Sequence, residues 1–178
     1  YAMVDESVAD KDCIDSNNEF SCEAKFFRRQ GWYIYRKIKN GIYINSWHAR
    51  KYLENPSFAT ELSEGVYTIA TVTYVLIQLA RYMGFSEIYL LGMDNRYKFG
   101  MDKEGNVFRN ENVVSYFGEE DSNVEIPRIA PATWELDCVY EYAEKYSKEN
   151  GFRIYNATRG GYLEKFERVD FDKLINQL

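Results

Sequence analysis

The sequence predicts an α/β fold, a mostly parallel sheet flanked by helices, and three observations carry that expectation. Between residues 72 and 83 the apolar side chains Val72, Val75, Leu76, Leu79, Ala80 and Met83 recur at steps of three and four, so they share one helical face that must be buried. After Gly84, Ile88-Tyr89-Leu90-Leu91 is an unbroken apolar run of strand length, as expected of a strand covered on both faces. The order then repeats. From Thr133, Leu136, Val139, Tyr140, Ala143 and Tyr146 share a helical face, and Phe152-Arg153-Ile154-Tyr155 reads as the next strand.

The elements follow in chain order. Tyr1-Ala2-Met3-Val4 is a short apolar run that enters an acidic turn at Asp5-Glu6. Ala24-Lys25-Phe26-Phe27 fits a strand, and Trp32-Tyr33-Ile34-Tyr35 fits either a strand or the start of a helix. Gly41-Ile42-Tyr43-Ile44-Asn45 is a clearer strand, followed by an irregular stretch through Asn55-Pro56 to Phe58 and Leu62 that is expected to rim a site. Thr71 or Thr73 can cap the first long helix, and Gly84 ends it, because glycine adopts a left-handed conformation without a clash from Cβ. Residues 95–133 carry Gly100, Gly105, Gly118, Pro127 and Pro131 and are long for a plain loop, which suggests a lid or insertion. Within them, Glu104-Gly105 can turn a small hairpin, with residues 113–117 as its neighbour. Thr133 is placed to cap the second long helix, Asn150-Gly151 to end it, and Asp170 to cap a short final helix.

Composition narrows the function classes. A chain of 178 residues suits one domain over 1–178, with roughly 70 % of its unfolded surface buried. A net charge of −6 without a basic stripe disfavours nucleic acid and acidic membranes as partners. Cys13, Cys22 and Cys138 are odd in number and lie in no CxxC pair, which points to free thiols in a reducing compartment, the cytoplasm, and away from a disulfide frame or zinc site. No run approaches the ~20 apolar residues of a transmembrane helix, and the acidic start lacks the basic and apolar regions of a signal peptide. His48, the single histidine, reads as a packing or surface residue beside Trp47, and Glu119-Glu120-Asp121 as a solvated turn, so no metal ligands are assigned. Sixteen Tyr and eleven Phe first of all pack; such a surface serves a homo-oligomer as readily as ligand stacking.

The site expectation rests on strand ends. In parallel α/β sheets ligands bind outside the carboxyl ends of the strands. Gly92-Met93-Asp94 lies at one such end, with Gly92 for close backbone approach and the Asp94 carboxylate as base or hydroxyl binder. Asp94 also fits a plain turn cap that accepts backbone N–H bonds. Asn156-Ala157-Thr158 lies at a second end, where an amide and a hydroxyl suit a base or ribose. The hydroxyl of Thr71 and the N–H groups of its helix start favour an anion, although a plain cap needs only the hydroxyl.

Thr71-Val72-Thr73, Gln78-Leu79-Ala80, Met83-Gly84-Phe85, Ile88-Tyr89-Leu90 and Gly92-Met93-Asp94 resemble the signature of the MptE-like domain family. Near the C-terminus, Ile154-Tyr155-Asn156-Ala157-Thr158, Gly160-Gly161, Leu163-Glu164 and Phe166-x-Arg168-Val169-Asp170-Phe171 are similar to the family's closing segment, so the resemblance covers most of the chain. It implies a Rossmann-like fold, a place among bacterial surface-polysaccharide proteins, and a distant similarity to bacterial sialyltransferases that use a CMP-activated sugar. Archaeal members include a pterin diphosphokinase. It also implies that residues 1–4 correspond to the family's second strand, with a further strand and a Gly-rich phosphate-binding turn upstream, so that the chain looks like a fragment. Tyr97 resembles in position a sialyltransferase tyrosine that donates to the leaving phosphate, and it equally fits a packed loop aromatic.

The departures from the family pattern concern the base. Many members carry a histidine just after the Gly-x-Asp and another before the aromatic pair matching Tyr116-Phe117, where this chain has Asn95 and Ser115. A hydroxyl without an adjacent base is a poor proton acceptor near neutral pH, so Ser115 cannot replace the second histidine unaided. Residues 66–70 also stand where relatives are Gly-rich. Three readings follow. The first is a glycosyltransferase-related enzyme of surface-glycan assembly that binds a nucleotide-sugar and a glycan acceptor, with Asp94 and Tyr97 in the chemistry and Thr71, Gly92, Asn95, Asn156 and Thr158 in binding, and with no cofactor. The second is a pterin-type diphosphokinase using ATP with Mg²⁺. The third is a non-catalytic binding or scaffold module of a glycan-assembly complex.

Overall fold

Phe26 and Phe27 are neighbours in sequence and are buried in two different core clusters. Successive strand residues point to opposite faces, so this pair organises the first half of the chain. We describe here a computed structural model covering residues 1–5, 9, 11–47, 53, 56–111, 113 and 132–176. It divides into two units, Tyr1–Phe85 and Ser86–Leu178, each mixed α/β with small parallel sheets.

In the first unit, β1 (Ala2–Met3), β2 (Lys25–Arg28) and β3 (Gly41–Ile44) pair in parallel in that order, with Phe26 opposite Ile42 and Phe27 opposite Tyr43. Helix α1 (Lys11–Glu19) links the first two strands, and a 3-10 turn (Arg29–Gly31) with α2 (Trp32–Tyr35) links the next two. Residues 32–35 are therefore helical, which closes the alternative left by the sequence. Phe27 packs with Met3, Ile14, Tyr35 and Ile38, its ring stacked 5.0 Å from that of Tyr35. Phe26 packs with Ile44, Val66, Val75 and Leu79. The last two belong to α3 (Val72–Tyr82). Two further short strands, β4 (Ser46–Trp47) and β5 (Val66–Tyr67), pair in parallel beside this core. The last turn of α1 has no basic residue of its own. The buried Lys25 supplies the cation from β2, its Nζ donating to the Asn17 carbonyl at 2.5 Å near the negative end of the helix dipole.

The caps of α3 are those expected. The Thr73 N–H donates to the Thr71 hydroxyl at 3.2 Å, and Gly84, at φ 91°, turns the chain so that the Phe85 N–H reaches back to the Ala80 carbonyl. Its buried stripe, however, differs from the one the apolar spacing predicts. Tyr74, Val75, Ile77, Gln78 and Leu79 are buried, while Val72, Leu76 and Met83 are exposed. The cause is polar. The Gln78 side chain accepts from the N–H groups of Ala59 and Tyr67 and donates to the carbonyls of Tyr67 and Tyr74, and the Tyr74 hydroxyl donates to the Ser57 carbonyl. With every valence satisfied, an amide can face inward and turn apolar neighbours out.

The second unit opens with β6 (Glu87–Leu90), followed by an antiparallel hairpin of β7 (Phe99–Met101) and β8 (Val107–Arg109). The hairpin turns at Glu104-Gly105 as expected, with the Asn106 N–H donating to Asp102 Oδ1 at 2.7 Å and Gly105 at φ 88°. Residues 114–117 of its expected neighbour at 113–117, the acidic run at 119–121, Ser115 and most of the expected lid lie outside the described residues, as does His48. Helix α4 (Thr133–Glu149) starts with Thr133 inside its first turn; the cap position is Ala132 and has no side-chain bond, so Thr133 is not the cap. Its buried face is Leu136, Val139, Tyr140, Ala143 and Ser147. Strands β9 (Arg153–Asn156) and β10 (Glu167–Arg168) complete a parallel sheet in the order β10-β9-β6, and α5 (Phe171–Ile175) is capped by Asp170, whose carboxylate accepts from the Lys173 N–H. The run 88–91 is not covered on both faces. Leu90 is buried, Ile88 and Tyr89 are half-buried, and Leu91 is 55 % exposed, because the strand ends at Leu90 and Leu91 already belongs to the turn. Among the described residues Cys13, Cys22 and Cys138 form no disulfide, and no helix is long and apolar enough to cross a membrane.

Candidate functional site

The register of the second sheet sets the site. Leu90 pairs with Asn156 and Asn156 with Arg168, so the turns that follow β6 and β9 leave the sheet side by side. Gly92, Asp94 and Asn95 lie in one turn, Thr158, Gly160 and Gly161 in the other, and direct bonds join the two. The Ala157 N–H donates to the Leu90 carbonyl at 2.9 Å, the Met93 N–H to the Thr158 hydroxyl at 2.9 Å, and the Tyr162 N–H to the Asp94 carbonyl at 2.8 Å. Parallel pairing therefore brings together residues some sixty positions apart.

Local conformation explains the residue types. Gly92 has φ 70° with open space where a side chain would sit, so the backbone there is both left-handed and uncovered. Asn95 follows at φ 50°, a region asparagine tolerates better than most residues. Gly161, at φ 72°, is required twice over, since a Cβ would stand 3.1 Å from both the Asp94 Cα and the Met93 carbonyl oxygen. A glycine there lets the two turns touch.

The predicted residues fall into two groups. Asn156 is 0 % exposed and its amide is occupied at both ends, accepting from the Thr158 N–H at 3.0 Å and donating to the Leu163 carbonyl at 2.8 Å. The Thr158 hydroxyl is occupied by Met93. These two shape the turn as they stand. Asp94, by contrast, is exposed, and its carboxylate makes no hydrogen bond or ion pair among the described residues. Tyr97 is half-buried, and its carbonyl accepts from the Asn110 side chain at 2.7 Å, which ties the end of this loop to the hairpin. Thr71 belongs to the first unit, where its hydroxyl is the helix cap.

Three residues at these strand ends went unnoticed in the site reading of the sequence. Arg168 threads its guanidinium under the second turn, donating to the carbonyls of Thr158 (3.3 Å), Gly160 (2.7 Å) and Gly161 (3.1 Å) while pairing with Glu164 at 2.7 Å. Its hydrogen bonds hold the Glu164 carboxyl below the ordinary carboxylate range. Arg96 lies over the ring of Tyr162, 4.4 Å from its centroid, and Nη1 donates to the Tyr162 hydroxyl. The adjacent Gly160-Gly161 was the available signal for such a close crossing; nothing local pairs Arg96 with Tyr162. Among the described residues no three His, Cys, Asp or Glu converge as they would around a metal ion.

Chemically the arrangement offers a carboxylate with unused acceptor capacity, a pinned guanidinium and uncovered backbone at the ends of two adjacent parallel strands. No family model, curated protein or solved structure matches this chain.

Proposed function

We propose that the chain is a Rossmann-like, glycosyltransferase-related protein of surface-glycan assembly, which binds a nucleotide-sugar at the carboxyl ends of β6 and β9. The observation that carries this reading is the direct contact of the two turns, with the Met93 N–H on the Thr158 hydroxyl and Gly161 against Asp94. It supports one site built from both strand ends, the position where parallel sheets bind ligands. Asp94 then accepts the proton of a sugar or acceptor hydroxyl, which its vacant oxygens and exposure allow. Tyr97 is the donor to the leaving phosphate in this reading. The resemblance to the MptE-like family supports the ligand class, and the internal bonds of Asn156 and Thr158 make them the frame of the site.

Calorimetric titration with CMP, UDP, GDP and ATP, each with and without Mg²⁺, tests the ligand class. Metal-independent binding of a nucleoside mono- or diphosphate is expected; binding of ATP alone, dependent on Mg²⁺, would turn the reading to a diphosphokinase. With a binding nucleotide-sugar in hand, Asp94→Asn should reduce transfer by about 100-fold or more and leave the melting temperature unchanged. Undiminished turnover by that variant removes Asp94 from the chemistry.

A further inference from the structure

Three arginines, Arg96, Arg159 and Arg168, stand in or beside the strand-end turns, and they differ in how their charge is met. Arg168 pairs with Glu164, and Arg159 pairs with Asp172 while covering the Phe171 ring. Arg96 has no carboxylate partner among the described residues. What it has is Tyr162, through the face of the ring and through the hydroxyl. The backbone of Tyr162 is tied to the same turn, since its N–H donates to the Asp94 carbonyl, two residues before Arg96. A guanidinium carries five N–H donors, so one bond to a phenol leaves about four unmatched. Stacking fixes its plane, and a guanidinium is weakly hydrated, so an arriving anion meets a receptor whose orientation is already set.

We propose that Arg96, held against Tyr162, is the anion receptor of the strand-end site, and that the ligand presents a phosphate ester to Arg96 and a hydroxyl to Asp94. This deepens, and rests on, the nucleotide-sugar reading. Opposite charges at positions 94 and 96 that do not pair with each other suit a ligand bearing an anionic and a hydroxylated part side by side. A neutral sugar would leave the Arg96 charge without an anion, and a bare phosphate would leave Asp94 facing an anion.

The test compares nucleotides with their nucleosides. Wild-type protein and Arg96→Ala are titrated with CMP, UDP and GDP, and with cytidine, uridine and guanosine. The nucleotide that binds the wild type should lose at least tenfold in affinity in Arg96→Ala, with a smaller loss in Arg96→Lys, which keeps the charge and loses the planar fork. Affinity for the matching nucleoside should be the same in all three. Should Arg96→Ala fail to fold, Arg96→Gln carries the same comparison. A variant that binds the nucleotide as tightly as the wild type overturns the role of Arg96 and leaves the nucleotide reading standing. A wild type that binds none of the three nucleotides overturns both.

Discussion

Gln78 in the first unit and Asp94 in the second are both polar side chains next to apolar runs, and their fates are opposite. Gln78 is 1 % exposed, and its amide is filled on both sides, accepting from two N–H groups and donating to two carbonyls. Asp94 is exposed and its carboxylate satisfies nothing among the described residues. The difference shows what a polar residue is for. A residue whose hydrogen-bonding capacity is filled by the protein holds the fold, and one whose capacity is vacant at a strand end is available to a ligand. The same rule separates Asn156 from Asp94, and Arg168 from Arg96, within a single pair of turns.

Gln78→Leu is the sharpest way to break the comparison. It roughly keeps the side-chain volume and removes the partner of the Ala59 and Tyr67 N–H groups and of the Tyr67 carbonyl, and buried groups left unpaired cost about 1–3 kcal/mol each before relaxation. A loss of roughly 3 kcal/mol in denaturant unfolding is expected. A loss below about 0.5 kcal/mol, the range of ordinary surface changes, would mean that the polar cluster does not anchor residues 59 and 67. The unchanged melting temperature expected of Asp94→Asn is the other half of the contrast.

Gly161→Ala comes next. The new methyl group must displace the Asp94 backbone and adopt φ near +72°, so a loss of about 2 kcal/mol is expected, together with weaker binding of whichever nucleotide the wild type takes. If stability falls and binding is untouched, the two turns do not form one site.

The smallest effect sharpens the picture of the frame. Because the Arg168 hydrogen bonds lower the pKa of Glu164, the stabilisation is complete above the ordinary carboxylate range and is lost as the pH falls through the lowered value. Both partners are exposed, so the effect is modest and weakens with salt. Melting temperatures of wild type and Glu164→Gln, measured across the acid range, should differ at neutral pH and converge at low pH. A constant gap would assign the effect of Glu164 to something other than its charge.

Much of the local structure was legible in the residues. Apolar spacing located both long helices, Gly84 and Gly151 marked their ends, and Asp170 and Thr71 marked two starts, because caps and left-handed turns depend on the chemistry of one or two residues. The strand ends carrying Asp94 and Asn156 were legible for the same reason. Periodicity misjudged which face of α3 is buried, since it scores side chains by polarity and cannot know that Gln78 and Tyr74 find partners at residues 57, 59 and 67.

By itself, then, the sequence determined the two long helices and the final short one, the caps at Thr71 and Asp170, the main strands, and the two turns in which a ligand site is expected. Tertiary structure alone decided that β6 and β9 lie side by side, that Gly161 touches Asp94, that Arg168 and Asn156 are occupied in holding the turns, and that Arg96 rests on Tyr162 with no carboxylate partner among the described residues. The physical reason is range. Caps and periodicities act over four residues or fewer, whereas the state of a polar group depends on which donors and acceptors the pairing of distant strands delivers to it.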